Sequence, residues 1–268
     1  MMSDLSAVSA VENARKFSQK LMPRNFAFPF ASPRKPRLPD GICIYAVSDI
    51  HGCADQLANV FAAIDHHLTR VRPKHPIQVF LGDYIDRGPA SRRVIDMLID
   101  RGQRHETIFL KGNHEAMLLD LLRDPEGFPT FKQFGGLQTL LSYGVVPSVN
   151  PDHDEQRTLI RELAQNIPDP HRRFFDNLRS NFLCGDFLFV HAGVRPGIPL
   201  RKQKEEDLLW IRDEFLSSDK DFGKFIVHGH TPVPKPDMRP NRINIDTGAY
   251  ATGILTLLTI QGDDMFTI

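Results

Sequence analysis

Short apolar runs alternate along this chain with segments that are apolar on one side only. Ile42–Val47 has the length and β-favouring composition of a buried strand. Leu57, Val60, Phe61, Ile64 and Leu68 then recur at helical spacing, one stripe on an otherwise polar segment. Ile77–Leu81 is strand-like again, and Pro89 opens a second helical pattern carrying Val94, Ile95, Leu98 and Ile99. Thr107–Leu110 predicts a third strand, with a third helix beginning near His114. Such alternation implies a layered α/β body with largely parallel pairing in this half. Phe187–Val190, Phe225–Val227, Ile243–Ile245 and Ile254–Ile260 predict further strands, so the second half is richer in β-structure. Between them, residues 115–181 hold helix patterns and turns, including Gly135-Gly136, and predict a helical cap that shapes an entrance.

Residues 1–40 follow a different rhythm. Pro23, Pro29, Pro33, Pro36 and Pro39 alternate with Arg24, Arg34, Lys35 and Arg37. Proline at this density blocks both helix and central strand, which predicts an extended tail ahead of a body over 41–268. Phe26, Phe28 and Phe30 alternate in it, so one face is suited to docking.

Composition excludes more than it identifies. Lys+Arg and Asp+Glu are both 33, so formal net charge is zero. Nucleic acid, which usually meets a basic excess, is therefore not the expected partner. No apolar run reaches the length of a membrane span, and no secretory signal is legible, so a cytoplasmic protein is expected. Cys43, Cys53 and Cys184 are too few and too scattered for a disulfide framework or a thiolate metal site, and read as small buried thiols.

The candidate chemistry lies in five short boxes. They are Asp49-Ile50-His51-Gly52, Gly82-Asp83-Tyr84-Ile85-Asp86-Arg87-Gly88, Gly112-Asn113-His114-Glu115, His191-Ala192-Gly193 and His228-Gly229-His230. Each alone is weak, because Gly-Asp after a strand is common turn chemistry and a lone histidine is usually structural. Together they place Asp49, His51, Asp83, Asn113, His191 and His230 just beyond predicted strands, where open α/β sheets build their sites. Carboxylate, imidazole and amide ligands suit manganese, with iron, zinc or nickel as alternatives, better than calcium. Asp83 is the natural bridge between two divalent ions, one also held by Asp49 and His51, the other by Asn113, His191 and His230. Two such ions bring four positive charges; Asp49 and Asp83 cancel two, and Arg87 offsets Asp86. The remainder attracts a phosphoryl group, and a water bridging the ions becomes a nucleophile near neutral pH. His66, His67, His75, His105, His153 and His171 fall outside the boxes and are expected on the surface without a role.

From Val47 to Ala249 the order of the boxes resembles the calcineurin-like metallophosphoesterases, and more narrowly the phosphoprotein phosphatases. Trp210-Ile211-Arg212 and Asn244-Ile245-Asp246-Thr247-Gly248 resemble bacterial members. The resemblance implies a four-layer α/β/β/α sandwich of two mixed sheets flanked by helices. It also implies that Arg87 and Arg212 clamp phosphoryl oxygens, and that His114, oriented by Asp86, protonates the leaving oxygen. His228 is then expected behind the ligands, and Asp246 against a ligand histidine.

Three functions fit these residues. The first is a protein serine/threonine phosphatase acting on a phosphorylated protein or peptide by direct attack of water, without a phosphoenzyme. The second is hydrolysis of dinucleoside polyphosphates such as diadenosine tetraphosphate. Relatives of that kind resemble Gly-Asp-Leu-Val-Ala-Arg-Gly and Gly-Asn-His-Asp in the second and third boxes, whereas this chain has Asp86 and Glu115 at the differing places, which favours the first. The third, a non-catalytic phosphoprotein-binding module, predicts a lost ligand, and none is lost.

Overall fold

The computed structural model describes Arg24–Asn25 and residues 35–267. Its layering follows from period-two alternation in the strands. In β2 (Ile42–Val47), Cys43, Tyr45 and Val47 join one apolar cluster while Ile44 and Ala46 join another. A strand buried on both faces must be apolar throughout, as this run is. β3 (His75–Phe80) and β4 (Thr107–Phe109) lie parallel beside β2, connected through α1 (Ala54–Val71) and α2 (Ser91–Arg104). On the other side of β2, β10 (Leu257–Gln261) pairs antiparallel, then β11 (Asp264–Thr267), then β1 (Arg24–Asn25), giving a six-stranded sheet.

The second sheet has five strands, in the order β5 (Asn181–Cys184), β6 (Phe187–Val190), β7 (Phe225–His228), β9 (Arg242–Asn244) and β8 (Asp237–Met238). Its three central strands are parallel, with an antiparallel strand at each edge. Phe187, Phe189, Phe225 and Val227 meet Ile44, Ala46, Val79 and Leu258 of the first sheet in the shared core. Leu188, Val190 and Ile226 point the opposite way, onto Leu208 of α8 (Glu205–Trp210), Phe215 of α9 (Asp213–Leu216) and Ile211 between them. The fold is the expected α/β/β/α sandwich, with the outer helical layer of the second sheet much the thinner.

The segment between the third and fourth boxes is helical: α3 (Asn113–Arg123), α4 (Phe128–Gln133), α5 (Gly136–Ser142), α6 (His153–Asn166) and α7 (Asp169–Asp176). Leu118, Phe131, Leu140, Leu163 and Phe175 join the same cluster as Leu57 and Val94, so most of this segment thickens the helical layer on the first sheet. Its turn at Gly135 reaches the site, where the Gly135 carbonyl accepts the Arg87 N–H at 3.0 Å.

Several expectations need correction. β5, β8 and β11 are not among the expected strands: β5 is apolar at Phe182, Leu183 and Cys184 but short, and β8 and β11 are short with few fully buried side chains. β10 begins at Leu257 rather than Ile254, whose side chain is 59% exposed. His171 is buried, not on the surface: its ring joins the Tyr143 hydroxyl and the Asp96 carboxylate, each at 2.8 Å, and ties α7 to α2. His67, half-buried, bonds the Tyr45 hydroxyl at 2.8 Å. Leu38, ahead of residue 41, is already in the shared core, with its N–H on the Gly262 carbonyl at 2.9 Å. Phe26, Phe28 and Phe30 lie outside the described residues. The three cysteines are free and buried. No helix among the described residues is long and apolar enough to cross a membrane.

Candidate metal centre

The carboxyl ends of both sheets' parallel strands meet at one crevice. Asp49 follows β2, Asp83 follows β3, Asn113 follows β4, His191 follows β6 and His230 follows β7. All five, with His51, are buried.

The turns that aim these groups are conformationally costly. His51, Asp83, Asp86, Arg87 and His230 have φ between 46° and 69°. They are five of the six non-glycine residues with positive φ among the described residues. Such conformations cost roughly 1–3 kcal/mol each and persist only where the surroundings over-determine them. Glu115 supplies much of that restraint. Its buried carboxylate accepts the N–H groups of Asp83 (2.9 Å), Tyr84 (2.8 Å), Ile85 (3.3 Å) and Gly112 (2.9 Å), stitching the second box to the third. The Asp83 carbonyl accepts the Ile50 and His51 N–H groups, at 3.0 and 2.8 Å, which ties in the first. Close approach dictates two glycines: a Cβ on Gly112 would lie 2.1 Å from Asp83 Oδ1, and one on Gly229 would lie 2.1 Å from Asp49 Oδ1.

Hydrogen bonds on the far side of each ring set the histidine tautomers. His51 Nδ1 faces the Ile85 carbonyl at 2.8 Å and His191 Nδ1 faces the Leu81 carbonyl at 3.0 Å, so each donates there and presents Nε2 as a lone pair. His51 Nε2 lies 3.5 Å from Asp83 Oδ2. His191 Nε2 lies 2.9 Å from Asn113 Oδ1, 3.1 Å from His230 Nδ1 and 3.5 Å from Asp83 Oδ1. More acceptors thus converge here than there are protons to share, and buried His230 Nε2 has no hydrogen-bond partner. That donor set is what a pair of divalent cations satisfies.

The charge balance agrees. Burial raises the proton affinity of Asp49, Asp83 and Asp246, and Asp246 beside Asp49 and Glu115 beside Asp83 add repulsion. Burial also holds His51, His114 and His230 well below the usual imidazole range, helped by His114, Arg87 and His191 respectively. Neutral imidazoles among crowded carboxylates are the protonation state metal ligands need, and bound cations reverse the carboxylate penalty.

Two close clusters of ionisable groups emerge, and Asp83 is common to both: His51–Asp83–His114 and Asp83–His191–His230. Asp49 stands in neither. Its carboxylate accepts the Ser48 hydroxyl at 2.7 Å and the His230 N–H at 3.0 Å, placing it at the margin. His114 lies closer to the centre than its box suggests, with Nε2 3.8 Å from Asp83 Oδ2. Its Nδ1 meets Asp86 Oδ2 at 2.6 Å, and Arg87 Nη2 donates to its Nε2 at 3.2 Å. Thr139 Oγ1 donates to Asp86 Oδ1 at 2.6 Å. Burial pushes the Asp86 carboxyl up to about 7, against the lowering effects of Thr139 and Arg87. The Arg87 guanidinium sits 4.7 Å from the centre of the Tyr250 ring, while exposed Arg212 bonds the Thr231 hydroxyl at 3.4 Å. His228 stands behind the ligands, its ring against the Gly229 carbonyl and Arg242. Asp246 does not bond a histidine: its Oδ1 accepts the Gly248 N–H at 2.8 Å.

The boxes do not reveal the anchors of Asp86 or the rim of the crevice. Thr139 lies in the helical segment and carries no motif. Of the rim aromatics Phe134, Trp210 and Tyr250, Trp210 alone has a sequence signal, as the chain's single tryptophan beside Arg212.

Asp83→Asn is expected to abolish tight binding of both ions, measured as metal content after dialysis; two ions retained would contradict the shared carboxylate. Glu115→Asp withdraws a carboxylate from four backbone donors, each worth about 1–3 kcal/mol if left unpaired. It should lower the urea midpoint and slow every phosphoester substrate by a similar factor. A change confined to one substrate class would show that Glu115 contacts substrate.

The sequence profile of the calcineurin-like phosphoesterases matches residues 43–255. Curated relatives include the asymmetrical bis(5'-nucleosyl)-tetraphosphatase PrpE of Anoxybacillus flavithermus, 27% identical over 237 residues, or 79% of this chain and 88% of that protein. Its counterpart in Bacillus thuringiensis is 26% identical over 235 residues, with the same coverage. Among solved structures, a protein proposed as a diadenosine tetraphosphatase superposes with a TM-score of 0.58 at 21% identity, over 84% of this chain and 92% of that one. A cold-active protein tyrosine phosphatase superposes at 0.53 and 16% identity, over 88% and 83%; these two likenesses speak to the fold. With the profile spanning most of its length and the metal-ligand boxes brought to one crevice, this chain belongs to the calcineurin-like phosphoesterase family.

Proposed function

We propose that the chain hydrolyses dinucleoside polyphosphates, splitting a bis(5'-nucleosyl) tetraphosphate asymmetrically into a nucleoside triphosphate and a nucleoside monophosphate. The observation that carries this reading is the set of curated relatives of that name, which align over 79% of the chain and 88% of their own length. The sequence argument for a phosphoprotein loses its ground in the structure. Asp86 and Glu115 are fully buried, one bonded to His114 and Thr139, the other to four backbone N–H groups. Side chains without a surface toward the entrance do not select a substrate by contact.

Asp49, His51 and Asp83 would hold one divalent ion, and Asp83, Asn113, His191 and His230 the other, with manganese the metal favoured by this donor set. Bound there, the ions supply Lewis acidity toward phosphoryl oxygens and make water nucleophilic near neutral pH. The remaining work falls to the chain itself. Arg87, steadied over Tyr250, and Arg212 grip the phosphoryl oxygens through planar guanidinium groups. His114 Nε2, which accepts from Arg87 in the neutral ring, would deliver a proton to the departing oxygen once the ring is protonated, a form that Asp86 on Nδ1 favours.

That last dyad supports a second reading, a phosphomonoesterase acting on phosphoserine or phosphothreonine in proteins. Proton delivery matters most when the leaving group is a poor one such as an alkoxide. Side-by-side rates on diadenosine tetraphosphate and a phosphoserine peptide, in manganese-loaded protein, decide between the two. The first reading expects faster dinucleotide turnover, with ATP and AMP as products; cleavage to two ADP, or preference for the peptide, overturns it. His114→Asn is expected to slow the peptide by about 10²–10⁴-fold, the usual worth of general acid catalysis, and p-nitrophenyl phosphate by much less. Equal losses on both would remove His114 from the proton-donor role.

A further inference from the structure

A groove of about 610 Å³ opens beside the candidate metal centre, and of the clamp only Arg212 reaches it. Trp210 and Arg212 form the end nearest His230. The Trp210 indole stands edge-on to His230 at 6.2 Å and to Phe134 at 6.1 Å, and Arg212 bonds Thr231, the neighbour of His230. Trp210 is nonetheless 37% exposed and Ile198, on the same groove, 42%. Two large apolar surfaces left open in one concavity mark a binding site more than a solvent face.

The charges of the groove are unevenly used. Arg195 is engaged with Asp207 at 2.9 Å and with Glu214, a trio that carries one net negative charge. Lys202 and Lys204 have no ion-pair partner among the described residues, and Arg212 meets a neutral hydroxyl alone. Counted over the whole lining, four cations face four carboxylates, so the positive charge is local to Lys202, Lys204 and Arg212 and is not an excess of the groove as a whole. An exposed aromatic face next to unpaired ammonium groups is the combination that holds a nucleotide: the base stacks and the phosphates meet the cations. Glu206 and Asp213 offer acceptors for ribose hydroxyls. The size also suits, since ligand sites for small molecules run from about 300 to 1,000 Å³.

We propose that this groove is the second nucleotide subsite, holding the nucleoside phosphate that stays attached beyond the bond being cut. Its base lies on Trp210 and its phosphates against Lys202 and Lys204. The inference rests on the dinucleotide reading given above.

The chain's single tryptophan makes the test direct, because its fluorescence reports on this groove and on His230 beside it, and the tripolyphosphate control separates the two. ATP added to the manganese-loaded protein should quench it saturably, whereas inorganic tripolyphosphate, an equal chelator without a base, should not. Lys202→Glu with Lys204→Glu should weaken ATP binding about tenfold. Trp210→Ala should raise KM for diadenosine tetraphosphate about tenfold, in the range lost with one stacked base, while Trp210→Phe should restore it to within about twofold. Equal quenching by tripolyphosphate would overturn base stacking. Dinucleotide cleavage with an unaltered KM in Trp210→Ala and no ATP quench would sink the groove and leave the proposed activity standing. Quenching by a phosphoserine peptide, with no dinucleotide cleavage, would remove both and make the groove a peptide site.

Discussion

One carboxylate, that of Asp83, joins the whole site. Its side chain stands within 4 Å of His51, His114 and His191, which come from different strand ends of both sheets. Its backbone holds the first box through its carbonyl and meets Glu115 through its N–H. Burying this group without counter-charge is unfavourable, and Glu115 beside it adds repulsion. Cations relieve that penalty, so metal affinity and local stability are two expressions of one electrostatic balance.

The scaffold holds such a group by spending backbone conformation where packing is strongest. Five left-handed non-glycine residues cluster at the crevice, directly above the core shared by the two sheets. Each lies in a turn after a strand buried on both faces, so the turns start from rigid points. Glu115, from the first turn of α3, then gathers four N–H groups that no regular element would satisfy. A buried carboxylate given a wholly structural task looks, in sequence, like a catalytic acid.

Around the centre the helical layer contributes the parts that tune chemistry and access. Thr139 bonds Asp86, and the Gly135 carbonyl fixes the Arg87 backbone. Phe134, Trp210 and Tyr250 ring the opening, and each packs edge-on against a histidine of the site or against Arg87. The ligand boxes are those of a phosphoesterase family, whereas the proposed substrate choice rests on this rim and the groove beyond it.

Much of this was legible in residue order. Period-two runs such as Ile42–Val47 and Phe187–Val190 determined the layers, since both faces of a central strand must be apolar. The boxes determined which carboxylate, imidazole and amide groups stand at the strand ends, donor types that suit a cation pair. Tertiary structure decided what depends on distance between remote segments. Asp49 lies at the margin of the cation cluster and Glu115 lies beneath it, although both occupy equally prominent motif positions. His171 is a buried tie, not a surface residue, because Tyr143 and Asp96 come to it from other helices. Trp210 faces an open groove, which its short motif with Arg212 could not show. Local composition sets which groups a chain can offer; the packing of elements far apart in sequence sets which atoms meet, and at that range electrostatics and hydrogen bonding change sign over a few ångströms.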